Sequence, residues 1–349
     1  NGTGGGGGSG GTVNVTAANL AGYGTVRANG AVGGAGYGGS GGGGGRVAIV
    51  STGSDSSTLT LQANSGVSVS YRGFNGGAGT VAILRAGGAG YSLTIGNSTI
   101  SPQANTPIAG ASPSFLVLTV NNATVIFDAG SAASIDFLVA AGSATMRIAN
   151  ITAGSFVVAG TMTLTAGTLT LGASPLEIRG GGTLVLAEGS LSNCSLIVRN
   201  GGIFNQANAL PLDFSSVVVD PGGMLTHAPN GASRAVMLSM NVSGDFTLQA
   251  GATIAVDGMG YAGASQGAMA GKGPGGGTAG GSYSGSGGGH GGVGGRGDGS
   301  AVDGVAYDDI TNPSDLGSGG GGSSSAGGGA GGGAVLLRVG GLFTFNGLI

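Results

Sequence analysis

Charge is scarce in this chain: Asp and Glu together number 14, Lys and Arg 11, and Lys272 is the only lysine among 349 residues. A net charge of -3 and so few cations offer no electrostatic footprint for nucleic acid or for an anionic membrane. Tryptophan is absent, and Tyr and Phe supply only 7 and 10 residues, poor material for sugar-stacking platforms. A lone cysteine, Cys194, excludes an intramolecular disulfide and reads as a small buried hydrophobe. His227 and His290 are the only histidines, with no cysteine cluster to join them in a metal centre. No apolar run approaches the ~20 residues of a membrane-spanning helix. The sequence begins at Asn1 without a methionine or a charged, apolar leader, and it reads as a mature product or as a piece of something longer.

Catalytic signatures are equally thin. Gly7-Gly8-Ser9-Gly10-Gly11 and Gly38-Gly39-Ser40-Gly41-Gly42 fit the G-x-S-x-G elbow, but neither has the preceding strand, following helix and activating His that the elbow requires. Gly271-Lys272-Gly273 lacks the Ser or Thr and the upstream spacing of a phosphate-binding loop. A polysaccharide lyase or hydrolase needs clustered carboxylates, whereas Asp128, Asp136, Glu177, Glu188, Asp213, Asp220, Asp245 and Asp257 are scattered singly. The chain is therefore read as a non-enzyme without a cofactor. The densest acidic group, Asp308-Asp309 with Asp303 and Asp315 nearby, is the one candidate for Ca²⁺, set against a solvated loop.

What the chain has is glycine, 85 residues concentrated in Gly4 to Gly11, Gly33 to Gly45 and Gly271 to Gly333, each block running into a short apolar segment. Side-chain-free backbone packs closely against other backbone, so the blocks are expected to be extended, polyproline-II-like or tightly looped, packed face to face with their N–H and C=O groups satisfied by neighbouring glycine strands. Crowded positions such as Gly43 and Gly331 are expected to reject a Cβ. An Asn-Gly or Asp-Gly, glycine block, strand order recurs from Asn1-Gly2, Asn29-Gly30 and Asp257-Gly258. The approach Leu20 to Gly30 aligns without gaps to Leu248 to Gly258, and a third copy starts at Phe343-Thr344-Phe345.

Between the glycine-rich ends, short apolar runs recur roughly every ten residues, bounded by Gly, Asn, Ser or Asp, as strands should be. Few Asn-Gly hairpin dipeptides separate them, Asn200-Gly201 and Asn230-Gly231 being the candidates. Corners such as Ala129-Gly130-Ser131, Ala141-Gly142-Ser143, Ala153-Gly154-Ser155 and Ala166-Gly167-Thr168 instead let a chain turn without reversing. The pattern predicts an all-β chain: a parallel β-helix, or β-solenoid, of three short strands per coil with ordered glycine-rich segments at both ends. A β-sandwich is the alternative. Val125, Phe127, Ile148, Val158, Leu164, Leu186 and Val198 are the expected inward residues. Composition divides the chain into a glycine-rich β module (1–90), a β-helical core (91–257) and a second glycine-rich module (258–349).

The modules, with the stretch Gly287-Gly288-Gly289-His290-Gly291-Gly292 through Asn312-Pro313-Ser314-Asp315-Leu316-Gly317 to Gly333-Ala334-Val335-Leu336, resemble the glycine-rich β-helix repeats of very large secreted and surface proteins of bacteria and protists. The resemblance implies an extracellular or cell-surface architectural element and no catalytic residue. The functional expectation is a repeat unit of a filament, fibril or stalk stacking end to end, with itself as partner in a head-to-tail polymer or as tandem repeats of one chain. Asn1, Gly2, Phe343, Phe345 and Ile349 would be the assembly ends. An adhesin or glycan-binding β-helix module is the competing reading, ahead of a polysaccharide-active enzyme. Sequons at Asn1, Asn14, Asn97, Asn122, Asn150, Asn193 and Asn241 are the glycosylation candidates, and N-linked glycans would solubilise a surface poor in charge. Arg296-Gly297-Asp298 spells a cell-adhesion tripeptide. Thr161/Thr163/Thr165 and Thr168/Thr170 lie along consecutive strands, so no threonine ladder is expected.

Overall fold

A computed structural model describes residues 4–36, 38–70, 72–88, 90–96, 104–109, 113–127, 132–171, 175–192, 194–267, 269–280, 284–298 and 301–349. Those residues are all-β and fall into two compact units, Asn1–Ile197 and Val198–Ile349.

The first unit opens with β1 (Thr12–Ala17), β2 (Leu20–Arg27), β3 (Arg46–Ser51), β4 (Asp55–Gln62) and β5 (Thr80–Leu84). β1, β3 and β5 pair in parallel, which puts Val13, Val47 and Val81 in one column and Val15, Ile49 and Ile83 in the next. β2 and β4 pair in parallel as a two-stranded sheet of their own, with Leu20 opposite Asp55 and Val26 opposite Leu61. Alternating β-branched and aliphatic residues make these segments strands, and their inward members close a core around Val47, Ile49 and Val81. β6 (Ser92–Gly96) returns antiparallel to β5 and pairs in parallel with a longer strand that follows.

The later strands of this unit are β7 (Asn105–Ile108), β8 (Ser114–Phe127), β9 (Ala132–Val158), β10 (Thr161–Leu171), β11 (Leu176–Ile178), β12 (Thr183–Leu186), β13 (Ser190–Ser192) and β14 (Cys194–Val198). β9 runs for 27 residues and bonds to β8, β10 and β11. β10 bonds to β12 through Thr161–Leu164 and to β13 through Thr168–Thr170.

An open parallel β-solenoid of short strands is therefore the wrong architecture, and a sandwich is not seen either. Among the described residues the structure has a closed five-strand parallel barrel core decorated by 17 further strands. The corner residues are where the sequence misleads. Ala141-Gly142-Ser143 and Ala153-Gly154-Ser155 lie inside β9, and Ala166-Gly167-Thr168 lies inside β10, so the extended strand continues past each corner while the pairing register shifts or changes partner there. Gly142 (φ 57°) and Gly167 (φ 83°) take the left-handed backbone that lets the strand bend where its pairing register shifts. One long strand then serves several partners. Ala129-Gly130-Ser131 lies outside the described residues. The inward set fares better: Val125, Phe127, Ile148, Val158, Leu164, Leu186 and Val198 are all buried.

In the second unit β15 (Ile203–Gln206), β16 (Leu212–Val219), β17 (Met224–His227), β18 (Leu238–Val242), β19 (Phe246–Leu248), β20 (Thr253–Ile254), β21 (Val335–Val339) and β22 (Phe343–Phe345) pair in parallel. Asn200-Gly201 and Asn230-Gly231 do not make hairpins here. Asn230 is buried: its Nδ2 donates to the carbonyls of Val236 (2.9 Å) and Met259 (2.8 Å), and its Oδ1 accepts the N–H groups of Ala235 (2.7 Å) and Val236 (2.9 Å). The amide thus uses both its donors and both its lone pairs.

The glycine blocks are threads tied to one another. In the first unit Gly7 and Gly10 donate to Ser40 and Gly43, Gly41 and Gly44 to Phe74 and Gly77, and Gly42 and Gly45 to Ala31 and Ala28. The spacing of three residues is that of a polyproline-II helix, which presents successive N–H groups to different neighbours. In the second unit Tyr261 and Ala264 donate to Gly317 and Gly320, while Gly328 and Gly331 donate back to Ala264 and Tyr261. A Cβ on Gly331 would fall inside the carbonyl of Gly317, as the crowding argument expects. Gly43 departs from that expectation, its nearest neighbour being the Gly77 oxygen at 3.9 Å, because it faces outward on its turn of the thread.

Candidate functional site

Each unit has a hollow lined in part by ionisable side chains. The first lies in the first unit, between the β2–β4 sheet and the β3–β5 face. The inward side chains of β4, namely Asp55, Ser57, Leu59 and Leu61, line it together with Leu20, Ile49, Val81, Ile83, Arg85 and Thr94, around about 190 Å³ of space. Aliphatic groups form its floor and polar groups one end. Asp55 Oδ2 meets Arg85 at 3.2 Å, with the Asp55 side chain 6% exposed and the Arg85 side chain 57% exposed. The Ser57 hydroxyl and N–H, bonding Asp55 Oδ1, hold its carboxyl below the usual range, with Arg85 adding a smaller pull.

The second hollow, in the second unit, is lined by His290, Gly291, Ala306, Tyr307, Asp308, Asp309, Ile310 and Pro313. His290 Nε2 lies 3.3 Å from Asp308 Oδ2 and its ring tilts against Tyr307 at 4.8 Å. Asp308 sits at φ 75°, and its Oδ2 accepts the N–H groups of Ser314 and Asp315, both at 2.8 Å. Backbone N–H groups of Asp315 and Asp309 thereby pull its carboxyl down to about 2. Asp309 Oδ1 accepts from Thr311 and Asn312 in the same way. These carboxylates close their own loop with N–H donors. No group of three His, Cys, Asp or Glu side chains converges among the described residues.

The adhesion tripeptide lies on the same unit. Arg296 reaches Asp303 at 3.3 Å, and the Asp298 N–H donates to Ser284, which fixes the tripeptide against its own loop. Deeper in, Tyr261 donates to Asp315 Oδ1 at 2.9 Å, and burial together with that carboxylate pushes its hydroxyl up to about 12.

The sequence-chosen residues are dispersed. Asn1, Gly2, Asn97 and Asn193 lie outside the described residues. Asn14 on β1 and Asn150 on β9 are exposed. Asn122 holds the Ser143 N–H on its Oδ1 (2.9 Å), and Asn241 donates to Asp213 (2.9 Å). Phe343, Phe345 and Ile349 are exposed, Phe343 packing edge-on against Phe246 at 5.2 Å. Cys194 is buried and its thiol is pushed up to about 12. His227 is fully buried, its Nδ1 on the Ala228 carbonyl (2.8 Å) and its Nε2 accepting the Ala334 N–H (3.3 Å), so the ring is the neutral Nδ1–H tautomer and burial lowers its pKa.

Sequence reasoning missed a hydroxyl ladder. Thr168 and Thr170 stand over Ser190 and Ser192 with oxygens 3.0 and 2.9 Å apart, and over Asn150 and Thr152 on the other side. The signal was present, but the rungs are Ser and Asn as well as Thr, so a search for repeated Thr-x-Thr passes over it.

No protein-family model, curated protein or solved structure matches the chain. The resemblance to glycine-rich β-helix repeats is corrected by the barrel core and its added strands. With it falls the filament or stalk repeat: the barrel-plus-decoration sheet is not the linear stacking unit that end-to-end assembly needs, nor is it a β-helical adhesin scaffold.

Proposed function

We propose that the chain is a non-catalytic scaffold module, working outside the cell or at its surface, that holds loops and strand edges in fixed positions for contact with other macromolecules. The observation that carries this reading is the interlocked glycine backbone. Threads bonded every third residue, with no room for a Cβ at the contacts, form a frame whose rigidity comes from main-chain pairing alone. The loop around Asp308 and Asp309 is closed on itself by its own carboxylates and does not converge acid, base and nucleophile. A surface poor in charge and carrying exposed sequons at Asn14 and Asn150 supports an extracellular setting and N-linked glycans. Lys272 as sole lysine and a net charge of -3 give nucleic acid no footing. The exposed apolar strip Leu342, Phe343, Phe345 and Leu348 supports contact with a second copy of the chain as a partner.

The location is tested by labelling the chain on intact source cells with a membrane-impermeant probe and an antibody. Labelling without permeabilisation is the expected result. Signal confined to permeabilised cells would overturn the extracellular reading, and sedimentation over a concentration series reads self-association separately.

A further inference from the structure

We infer that the free edge of β4, with the chamber beneath it, is a peptide-binding site that takes an extended segment as a third strand of the β2–β4 sheet. Two independent features converge on it.

The first is the backbone. Leu20 N–H donates to Ser54 and Ala28 N–H to Gln62, both at 2.8 Å, and the parallel register between them fixes which residues of β4 face β2. In a parallel ladder alternate residues bond to one side, so the even-numbered residues of β4 serve β2. The odd-numbered residues direct their N–H and C=O groups to the opposite edge. Ser57 N–H is taken by Asp55, which leaves the N–H groups of Leu59 and Leu61 and the carbonyls between Asp55 and Leu61 on an edge that pairs with no strand among the described residues. Such an edge, without Lys, Pro or a bulge to blunt it, is a template for strand addition.

The second feature is the space. The same odd-numbered residues turn their side chains into the 190 Å³ chamber. The facing wall continues from β3 through β5 to β6, whereas the covering sheet stops at β4. The chamber is thus where the inward side chains of one more covering strand would lie. An apolar cavity of about 150 Å³ already admits a benzene-sized group, so two small aliphatic side chains are within its capacity. Arg85 stands at the polar end, its side chain 57% exposed and its one ion pair among the described residues made with Asp55. The ligand it selects is an extended peptide with aliphatic residues at two alternate positions and a carboxylate at the next inward position.

The test uses the intact chain with the fluorescently labelled peptide Val-Thr-Val-Thr-Asp and its reversed sequence, covering both strand directions. Anisotropy should show saturable binding by one of them, with slowed hydrogen exchange at the Leu59 and Leu61 amides. Arg85→Ala should weaken the acidic peptide about tenfold and leave unchanged a control peptide in which Asn replaces its Asp. Ile83→Phe, which fills the chamber, should abolish binding of both. The wild-type exchange measurement keeps the idea testable if either variant folds poorly. Absence of binding at millimolar peptide overturns the inference, as does protection of Leu59 and Leu61 in the free chain. Binding of octanoate at the chamber with no change at those amides would replace it with a small-molecule site. The edge exists wherever the chain resides, so failure of the location test leaves this outcome untouched.

Discussion

Replacing Gly331 and Gly43 by alanine, the same chemical change in two glycine threads, is expected to move stability in opposite directions. At Gly331 the new methyl falls within the carbonyl of Gly317 and close to that of Ser318. The threads must separate, which strains the Gly331 N–H bond to Tyr261 (2.9 Å), the Gly260 N–H bond to Gly331 (2.8 Å) and the Gly317 N–H bond to Gly332 (2.9 Å). Overpacking costs about 1–3 kcal/mol and each lost bond about 1 kcal/mol, so loss of all three bonds amounts to about 4–6 kcal/mol. At Gly43 the nearest atom is 3.9 Å away and φ is not left-handed, so alanine fits. There the smaller entropy of the unfolded chain should stabilise by about 0.4–1 kcal/mol. Urea unfolding monitored by tyrosine fluorescence gives both values. Equal effects at the two positions, in either direction, would refute the thread geometry.

Asn230→Ala should cost about 3 kcal/mol or more, because it strands buried donors and acceptors of Val236 and Met259; a loss under 1 kcal/mol in the same unfolding assay would count against the buried hub. His227 has a folded-state pKa below its unfolded value near 6.5, so its contribution is complete above about pH 6.5 and declines as pH falls from there toward the folded pKa, where only the unfolded state binds the proton. His227→Gln should flatten that part of the stability–pH curve. Expressed through a glycosylating secretory route, the chain should carry glycan at Asn14 and Asn150 in preference to Asn241, whose amide is engaged with Asp213, as peptide mass mapping would show.

Burial was the legible part of the sequence. Alternation around Val125, Phe127, Leu164 and Leu186 is a local property of a strand with one wet face, and those side chains are buried whatever the strand bonds to. Thread packing was legible for a similar reason, since only backbone is available to satisfy backbone. Strand length and partnership were not. A corner such as Ala166-Gly167-Thr168 reads the same whether the strand ends there or resumes past a register shift, and that choice separates a stack of short strands from the branched sheet observed. The facing of individual glycines was also hidden: Gly43 and Gly331 have like neighbours in sequence and opposite surroundings, because a thread of threefold pitch has no side chains to mark its faces. The chamber under β4 went unread because Asp55 and Arg85 meet only through pairing between distant strands.

The glycine threads also set how the chain should respond to temperature. Unfolding a hydrocarbon core raises heat capacity, while exposing peptide groups to water lowers it, by about 0.45 and 0.26 cal/mol/K per Å² respectively. Threads that bury amide against amide therefore offset the contribution of Phe204, Phe246 and Leu238 in the core of the second unit. Its stability curve should be broader and shallower than that of an aliphatic-cored domain of equal length, with cold denaturation displaced to lower temperature. A chain built this way keeps a nearly constant margin of stability over a wide span of temperature, without a larger core and without an intramolecular disulfide.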